Sequence, residues 1–215
     1  YIRGLPGAYT LILVDGRRQS TREARTNGNS GFEQSFIPPL EAIERIEVVR
    51  GPMSSLYGSD AMGGVINIIT RKVPKTWGGS VGADYTLQKS DLGDSHQEQF
   101  YLGGPVKDGV LGLQLWGRLY HRGEDRILNG ANGASDKDIT ARLAITPSQF
   151  QDILLQAGTT DVKRSSSPGK TLAANGTPAY NKNGRDYYSL SHQGRWGWAT
   201  SDVSLSREQA KRENY

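Results

Sequence analysis

The stretch IERIEVVRGPMSSLYGSDAMGGVINIIT, residues 43–70, contains two β-forming runs separated by a segment of small residues. The first run, residues 45–50, ends at a Gly-Pro pair, where proline removes a backbone donor and glycine relaxes the chain. The second run, residues 65–70, begins directly after two glycines. Between them, proline suits the first turn of a short helix over residues 52–57. We therefore predict a strand, a helix and a strand, with no catalytic group among them.

The segment before this stretch predicts one further strand and a helical turn. Residues 9–14 form a continuous apolar run closed by an Asp-Gly pair, which is typical of a strand covered on both faces. Residues 39–45 can form one or two helical turns. Together with the two strands above, these elements predict a small mixed unit of α+β class over residues 1–73.

From Pro74 onward, apolar and polar residues alternate, as expected for strands with two different faces. Short and long connections between the predicted strands alternate, and the long ones are residues 123–135 and 163–184. The connection at residues 91–94 is an exception, because it is short although the alternation calls for a long one. This pattern predicts antiparallel strands of a transmembrane β-barrel with long extracellular loops. A soluble β-sandwich also has alternating strands, so alternation alone leaves both folds open. We expect seven strands, near residues 78–90, 95–104, 110–122, 136–146, 150–162, 185–194 and 197–209.

Composition limits the possible classes of protein. The 215 residues include 35% hydrophobic residues, 27 glycines and no cysteine, which excludes disulfides and thiolate metal sites. No apolar run reaches the roughly 18 to 20 residues that a membrane-spanning helix needs, so any passage through a membrane requires strands. The formal net charge of +4 favours anionic partners, but the basic residues are scattered, and we predict no binding to nucleic acid.

No arrangement of residues in the sequence suggests catalysis or a metal site. The three histidines, His96, His121 and His192, fall on different predicted strands, and no two of them have the spacing of a helical metal site. Ser54 has no histidine near it in sequence, and residues 58–64 lack the lysine of a phosphate-binding loop. We therefore predict that the protein is not an enzyme, ligates no metal and carries no cofactor.

Residues 1–18, YIRGLPGAYTLILVDGRR, and residues 43–70 resemble, in this order, two segments of the plug domain of TonB-dependent outer-membrane receptors. The likeness is greatest to the catecholate siderophore type, that of the colicin I and ferric-enterobactin receptors. The resemblance implies the C-terminal part of a plug in residues 1–73 and the first seven strands of a β-barrel in residues 74–215. Plugged transporters of this kind need about 22 strands, so we expect an internal piece of a receptor from the bacterial outer membrane.

The resemblance also implies a function and partners. We expect active uptake of a ferric siderophore, coupled to the periplasmic protein TonB through a segment that precedes the first residue. The other implied partners are outer-membrane lipid, lipopolysaccharide, and bacteriocins or phages that exploit such receptors. Haem or cobalamin are the alternative ligands within the family. A soluble β-rich interaction protein with a plug-like domain is the alternative outside it.

The segment of residues 17–36, between two predicted strands, is the candidate ligand-binding loop. Ferric catecholate complexes are anionic and aromatic, and their iron is already saturated with oxygen ligands. A receptor for them therefore needs guanidinium donors and ring faces rather than metal ligands. A solvated loop whose arginines only maintain solubility is the alternative. The candidate residues are Arg17, Arg18, Arg22, Arg25, Phe32 and Phe36.

Two further arginines, Arg3 and Arg50, lie inside the two segments that carry the resemblance. The resemblance implies that such arginines pair with glutamates of the barrel and hold the plug in its lumen. We expect those glutamates to lie outside the 215 residues. A solvent-exposed arginine at the end of a strand is the alternative.

Four tryptophans, Trp77, Trp116, Trp196 and Trp198, are candidates for the aromatic girdles at the two edges of membrane-spanning strands. Packing inside a core would explain an individual tryptophan equally well. Each of the four therefore has two possible environments.

Overall fold

The structure is a computed structural model in which the chain forms two compact units, Tyr1–Lys72 and Val73–Tyr215. Each unit has its own β-sheet. No helix of the described residues is long and apolar enough to cross a membrane. The structure describes residues 10–18, 37–51, 61–71 and 73–214.

The first unit contains a four-stranded mixed sheet, formed by β1 (Thr10–Val14), β2 (Arg17–Arg18), β3 (Ile43–Arg50) and β4 (Gly64–Thr70). The strand order is β2-β1-β4-β3. The central strands β1 and β4 are parallel, while β2 and β3 pair antiparallel at the edges. The three longer strands confirm the strands that the sequence predicts near these positions.

The core of the first unit is built from the apolar runs of its two central strands. Leu11 and Leu13 of β1 pack with Val65 of β4, and Ile68 belongs to a second buried cluster. The Asp-Gly pair after β1 allows the chain to turn, because Asp15 and Gly16 have φ angles of 52° and 74° in the left-handed region. The carboxylate of Asp15 accepts hydrogen bonds from the amide and hydroxyl of Thr70, at 2.8 and 2.7 Å.

The helical content predicted for the first unit is not confirmed. Only a single 3-10 turn, Leu40–Ala42, occupies the region where one or two helical turns were expected, and β3 begins at Ile43. The β-branched residues of β3 pair along β4, which stabilises an extended chain more than a helix does. The helix predicted over residues 52–57 lies outside the described residues. The described chain is thus mostly β-strand with almost no helix, and most of its strand pairs are antiparallel.

The second unit is one seven-stranded antiparallel sheet in which each strand pairs with its neighbour in sequence. All seven strands expected from the sequence are present, and five of them extend several residues beyond the predicted ends. A β-sandwich divides its strands between two sheets, so this single sheet disfavours that alternative. The strands are β5 (Gly78–Thr86), β6 (Ser95–Lys107), β7 (Leu111–Arg122), β8 (Gly133–Ser148), β9 (Gln151–Ser166), β10 (Ala179–Trp196) and β11 (Ala199–Asn214).

Short and long connections alternate without exception along this sheet. The short turns all lie at the same end of the strands; they are residues 108–110, 149–150 and 197–198. The first long-side connection spans residues 87–94 rather than 91–94, because β5 ends earlier than the sequence predicts. All three long connections therefore lie at the opposite end of the strands, as in outer-membrane barrels. The other two long connections are residues 123–132 and 167–178.

The two faces of the second sheet differ in polarity. Leu143, Leu155 and Leu190 are cross-strand neighbours on one face, which we call the outer face, and all three are exposed. On the opposite face, the inner face, Gln114 lies opposite Arg142, and both are buried. An exposed apolar face beside a polar one is typical of strands that face lipid. The exposed apolar and aromatic residues of the outer face include Val81, Tyr85, Leu102, Leu119, Ile139, Leu143, Leu155, Tyr188, Leu190, Val203 and Leu205.

The four tryptophans divide between the two predicted environments. Trp77, Trp196 and Trp198 are exposed near the short turns, where an aromatic girdle is expected. Trp116 is on the inner face and only 2% exposed, which fits packing inside a core, the alternative to a girdle. It packs under the guanidinium of Arg142, whose central carbon lies 5.0 Å from the ring centroid.

Candidate functional site

The inner face of the second sheet carries a hydrogen-bonded network around Arg142 of β8. The Arg142 guanidinium donates from Nε and Nη2 to Oε1 of Gln156, at 3.1 and 2.8 Å. Antiparallel register places Gln114 and Gln156 on either side of Arg142. Hydrogen bonds that involve a charged group contribute about 1.5 to 3 kcal/mol each, which offsets the cost of burying this cation.

Tyrosine hydroxyls extend the network to the neighbouring strands. Gln114 donates to the hydroxyl of Tyr101 on β6, at 2.8 Å, and Gln156 donates to the hydroxyl of Tyr187 on β10, at 2.9 Å. Thr140 also shares a 2.8 Å hydrogen bond with Tyr187. Five consecutive strands thus contribute to one polar and aromatic wall, which is suited to contact with a hydrated or aromatic solute.

Three ion pairs lie on the same inner face, nearer to the long connections. Arg118 of β7 pairs with Asp138 of β8, with 3.1 Å between Nε and Oδ1. Arg164 pairs with Asp136 through both carboxylate oxygens, and Arg185 pairs with Glu208, with 3.0 Å between Nε and Oε1. These arginines are therefore neutralised by carboxylates on neighbouring strands.

Asp125 ties the first long connection to the second. Its carboxylate accepts hydrogen bonds from the backbone amides of Gly93, at 2.8 Å, and Ala131, at 2.7 Å, and from Arg122, at 2.5 Å. The two amides, together with the Arg122 guanidinium, lower the pKa of Asp125 below its usual value of 3.8. Gly93 is required here, because a Cβ at this position would lie 1.9 Å from the carbonyl oxygen of Gly123.

Glu124 ties the second long connection to the third. Its Oε1 accepts hydrogen bonds from the amide and hydroxyl of Thr171, at 3.3 and 2.5 Å, and from the amide of Ser167, at 2.5 Å. Burial alone would raise the pKa of Glu124, but the hydrogen bonds from Thr171 and Ser167 outweigh it and lower the pKa from 4.5 to about 2. The three long connections are therefore joined by two ionised carboxylates.

The residues predicted for ligand binding and for the plug latch are only partly described. Arg17 and Arg18 lie in β2, where they pair with Val14 and Leu13, and their side chains are not described. Arg50 is the last residue of β3, lies opposite Gly64 and is exposed. The other predicted residues, Arg3, Arg22, Arg25, Phe32 and Phe36, lie outside the described residues.

Sequence reasoning missed the inner-face network and the carboxylates that tie the long connections. Arg142 and Gln156 are 14 positions apart and meet only because of the register between β8 and β9. Alternation indicates which side of a strand a residue occupies, but it does not give its cross-strand partner. In the described ranges, no three His, Cys, Asp or Glu residues are grouped so that they could hold a metal ion.

Comparison with known proteins places these features in a family. Residues 1–65 match the TonB-dependent receptor plug domain. The chain is 42% identical to the iron-regulated outer membrane virulence protein of Vibrio cholerae, over 97% of this chain and 33% of that protein. It thus spans about a third of the length of this relative.

Solved receptor structures match both units of the chain. The siderophore receptor PirA of Acinetobacter baumannii has a TM-score of 0.82 and 32% identity, over 97% of this chain and 33% of that one. A ferric enterobactin receptor variant from Pseudomonas aeruginosa, solved in complex with enterobactin, has a TM-score of 0.79 and 26% identity, over 98% and 34%. These two solved proteins are receptors rather than enzymes, which is consistent with the prediction of a non-enzymatic protein.

Proposed function

This chain belongs to the TonB-dependent receptors of the Gram-negative outer membrane, and we propose that it forms part of a ferric siderophore transporter. Residues 1–73 would supply part of the plug, and residues 74–215 the first seven barrel strands. The observation that carries this proposal is the second sheet, whose exposed apolar outer face suits outer-membrane lipid and whose inner face is polar and aromatic. Below, the complete receptor means the protein that contains this chain together with the remaining strands.

We propose a catecholate as the siderophore. The likeness to a receptor solved with enterobactin supports this choice, as does the cationic and aromatic composition of residues 17–36. In the proposed mechanism, the siderophore contacts this segment and the long connections, and TonB then uses the proton gradient of the inner membrane to rearrange the plug. Ferric iron arrives with its coordination already complete, so the transporter needs no metal ligands of its own.

The direct test is uptake of radioactive iron by a receptor-deletion strain that expresses the complete receptor. We expect uptake from ferric enterobactin and loss of this uptake when TonB is also deleted. Haem and cobalamin serve as the alternative ligands in the same assay. Uptake of either one, without uptake from any ferric catecholate, would overturn the proposed ligand but leave the transport function intact.

Two arginines of the candidate loop provide the site-specific test. Replacing Arg22 and Arg25 together by alanine should weaken binding of the ferric siderophore, because two guanidinium donors to an anionic ligand are lost. The matched control is Arg45→Ala, which removes an arginine from β3 outside the candidate loop. Equal affinity in the double variant and the control would refute the loop assignment.

We also propose that Arg3 and Arg50 hold the plug through glutamates of the complete barrel. Breaking a buried ion pair by removal of one partner costs about 3 to 5 kcal/mol. Arg50→Glu should therefore loosen the plug and increase entry of a large antibiotic through the outer membrane. Unchanged antibiotic sensitivity at equal receptor abundance would instead favour a solvent-exposed arginine.

A further inference from the structure

Two histidines that are 25 positions apart in sequence meet on the outer face of the second sheet. His96 of β6 lies directly opposite His121 of β7, and their ring centroids are 5.2 Å apart with an angle of 37° between the planes. Tyr85 of β5 lies opposite His96 on the other side, with a centroid distance of 6.1 Å and nearly parallel rings. Sequence spacing gave no sign of this row, because it depends on the register of three strands.

The histidine pair lies where the apolar band of the outer face gives way to the long connections. His121 is two residues beyond Leu119, an exposed apolar residue of the outer face, and one residue before the end of β7. His121 is exposed and His96 is half-buried. Neither imidazole is hydrogen-bonded to another residue within the described part of the chain. Both rings are thus accessible from the water-facing edge of the outer face.

The distance between the two rings matches that of two imidazoles bound to one metal ion. A zinc-nitrogen bond is about 2.0 to 2.1 Å long, and an imidazole centroid lies about 1.1 Å beyond the nitrogen, so each centroid is about 3.2 Å from the metal. At a tetrahedral angle the two centroids are then about 5.2 Å apart. The observed separation is 5.2 Å. The observed separation is therefore compatible with one nitrogen of each ring directed at a common point.

We propose that His96 and His121 form a two-imidazole site for a divalent transition metal, of the class of Zn²⁺, Ni²⁺ and Cu²⁺. Imidazole is a preferred ligand for these ions, and affinity is expected to be highest for Cu²⁺. No group of three or more His, Cys, Asp or Glu in the described ranges could hold a metal, so water or an external ligand completes the coordination. A bound metal would join β6 to β7 beside the first two long connections.

The test is metal binding to the complete receptor, purified in detergent without a histidine tag, using Cu²⁺ and Zn²⁺ as probes. We expect His96→Ala and His121→Ala each to lower the affinity for one bound metal ion by at least about tenfold. The reason is that in the wild type the second imidazole binds the metal at high effective concentration. The variant that lacks both histidines should lose binding of that one metal ion and of no other.

The chain provides a matched control in its third histidine. His192 also faces outward, but it lies between Ile153 and Val203 and has no histidine opposite it. His192→Ala should therefore leave the affinity and the number of equivalents unchanged. Electron paramagnetic resonance of bound Cu²⁺ should show two coupled nitrogens in the wild type and at most one in either single variant at His96 or His121. Equal binding by the wild type and the double variant would overturn the proposal, as would the same loss in His192→Ala.

Discussion

The first unit buries mainly apolar side chains, such as Leu13, Val65 and Ile68, whereas the second unit buries polar ones, such as Gln114 and Arg142. In the second unit, many of the large apolar side chains are instead exposed on the outer face. The difference shows that the two sheets are adapted to different surroundings, since lipid outside a barrel reverses the usual preference of apolar residues for the interior. The same residue type should therefore have different energetic effects in the two units.

Arginine gives the sharpest form of this comparison. Arg45 of the first unit pairs with Glu44 and Glu47 at 2.8 and 2.9 Å, and its side chain is 54% exposed. Arg118 of the second unit pairs with Asp138 at a similar distance, but its side chain is only 18% exposed. Similar pairing geometry in different degrees of burial predicts unequal effects of the same substitution.

The largest effect is expected for Arg118→Ala in the complete receptor. Removal of Arg118 leaves the Asp138 carboxylate largely buried without this partner, which should cost about 3 kcal/mol, the lower end of the range for buried pairs. The measurement is the free energy of unfolding in urea and detergent. The variant with both Arg118→Ala and Asp138→Ala should be more stable than the single variant. A loss below about 1 kcal/mol would mean that this pair behaves like a surface pair.

An effect of comparable size is expected on the outer face of β11. Leu205→Arg places a cation on the face that we assign to lipid, which should cost about 2 to 4 kcal/mol near the middle of the bilayer. The matched control is Ser206→Arg, because the adjacent residue points to the inner face. The measurement is the amount of heat-resistant folded receptor in outer membranes. Equal amounts for the two variants would contradict the assignment of the faces.

The success of sequence-based prediction also differs between the two units. The seven strands of the second unit were predictable, because Leu111, Leu113 and Leu115 alternate with polar or small residues and repeat a pattern of period two. The contacts of Arg142 and the meeting of His96 with His121 were not, because they require the strand register. In the first unit, the turn at Leu40–Ala42 is shorter than expected, since pairing of β3 with β4 overrides local helical preference.

A smaller and local effect is expected at the tie between the second and third long connections. The pKa of Glu124 is lowered from 4.5 to about 2, so its ionised form stabilises the folded loops. That stabilisation is fully present above about pH 4.5 and is lost as the pH falls toward 2. Protection of the Ser167 and Thr171 amides from hydrogen exchange, corrected for intrinsic rates, should therefore be constant from pH 8 to 5 and decrease below that.

Glu124→Gln separates this electrostatic effect from a purely steric one. The glutamine keeps a carbonyl acceptor of nearly the same shape but cannot ionise, so protection of the two amides should be weaker at pH 7 and independent of pH. The amides of Gly93 and Ala131 report on the neighbouring Asp125 and should respond as in the wild type. If the glutamine variant kept the pH dependence of the wild type, the titrating group would have to be another residue.

The smallest effect is expected for Arg45→Ala in the first unit. Hydrogen bonding to Glu47 raises the pKa of Arg45, and the charges of Glu47 and Glu44 act in the same direction. All three side chains are solvated, however, and exposed ion pairs contribute little to stability. Urea unfolding of the complete receptor should therefore give nearly the wild-type free energy of unfolding, and the small remaining difference should shrink in high salt. A loss as large as that in Arg118→Ala would mean that Arg45 is buried in the complete receptor, because exposed pairs cannot supply it.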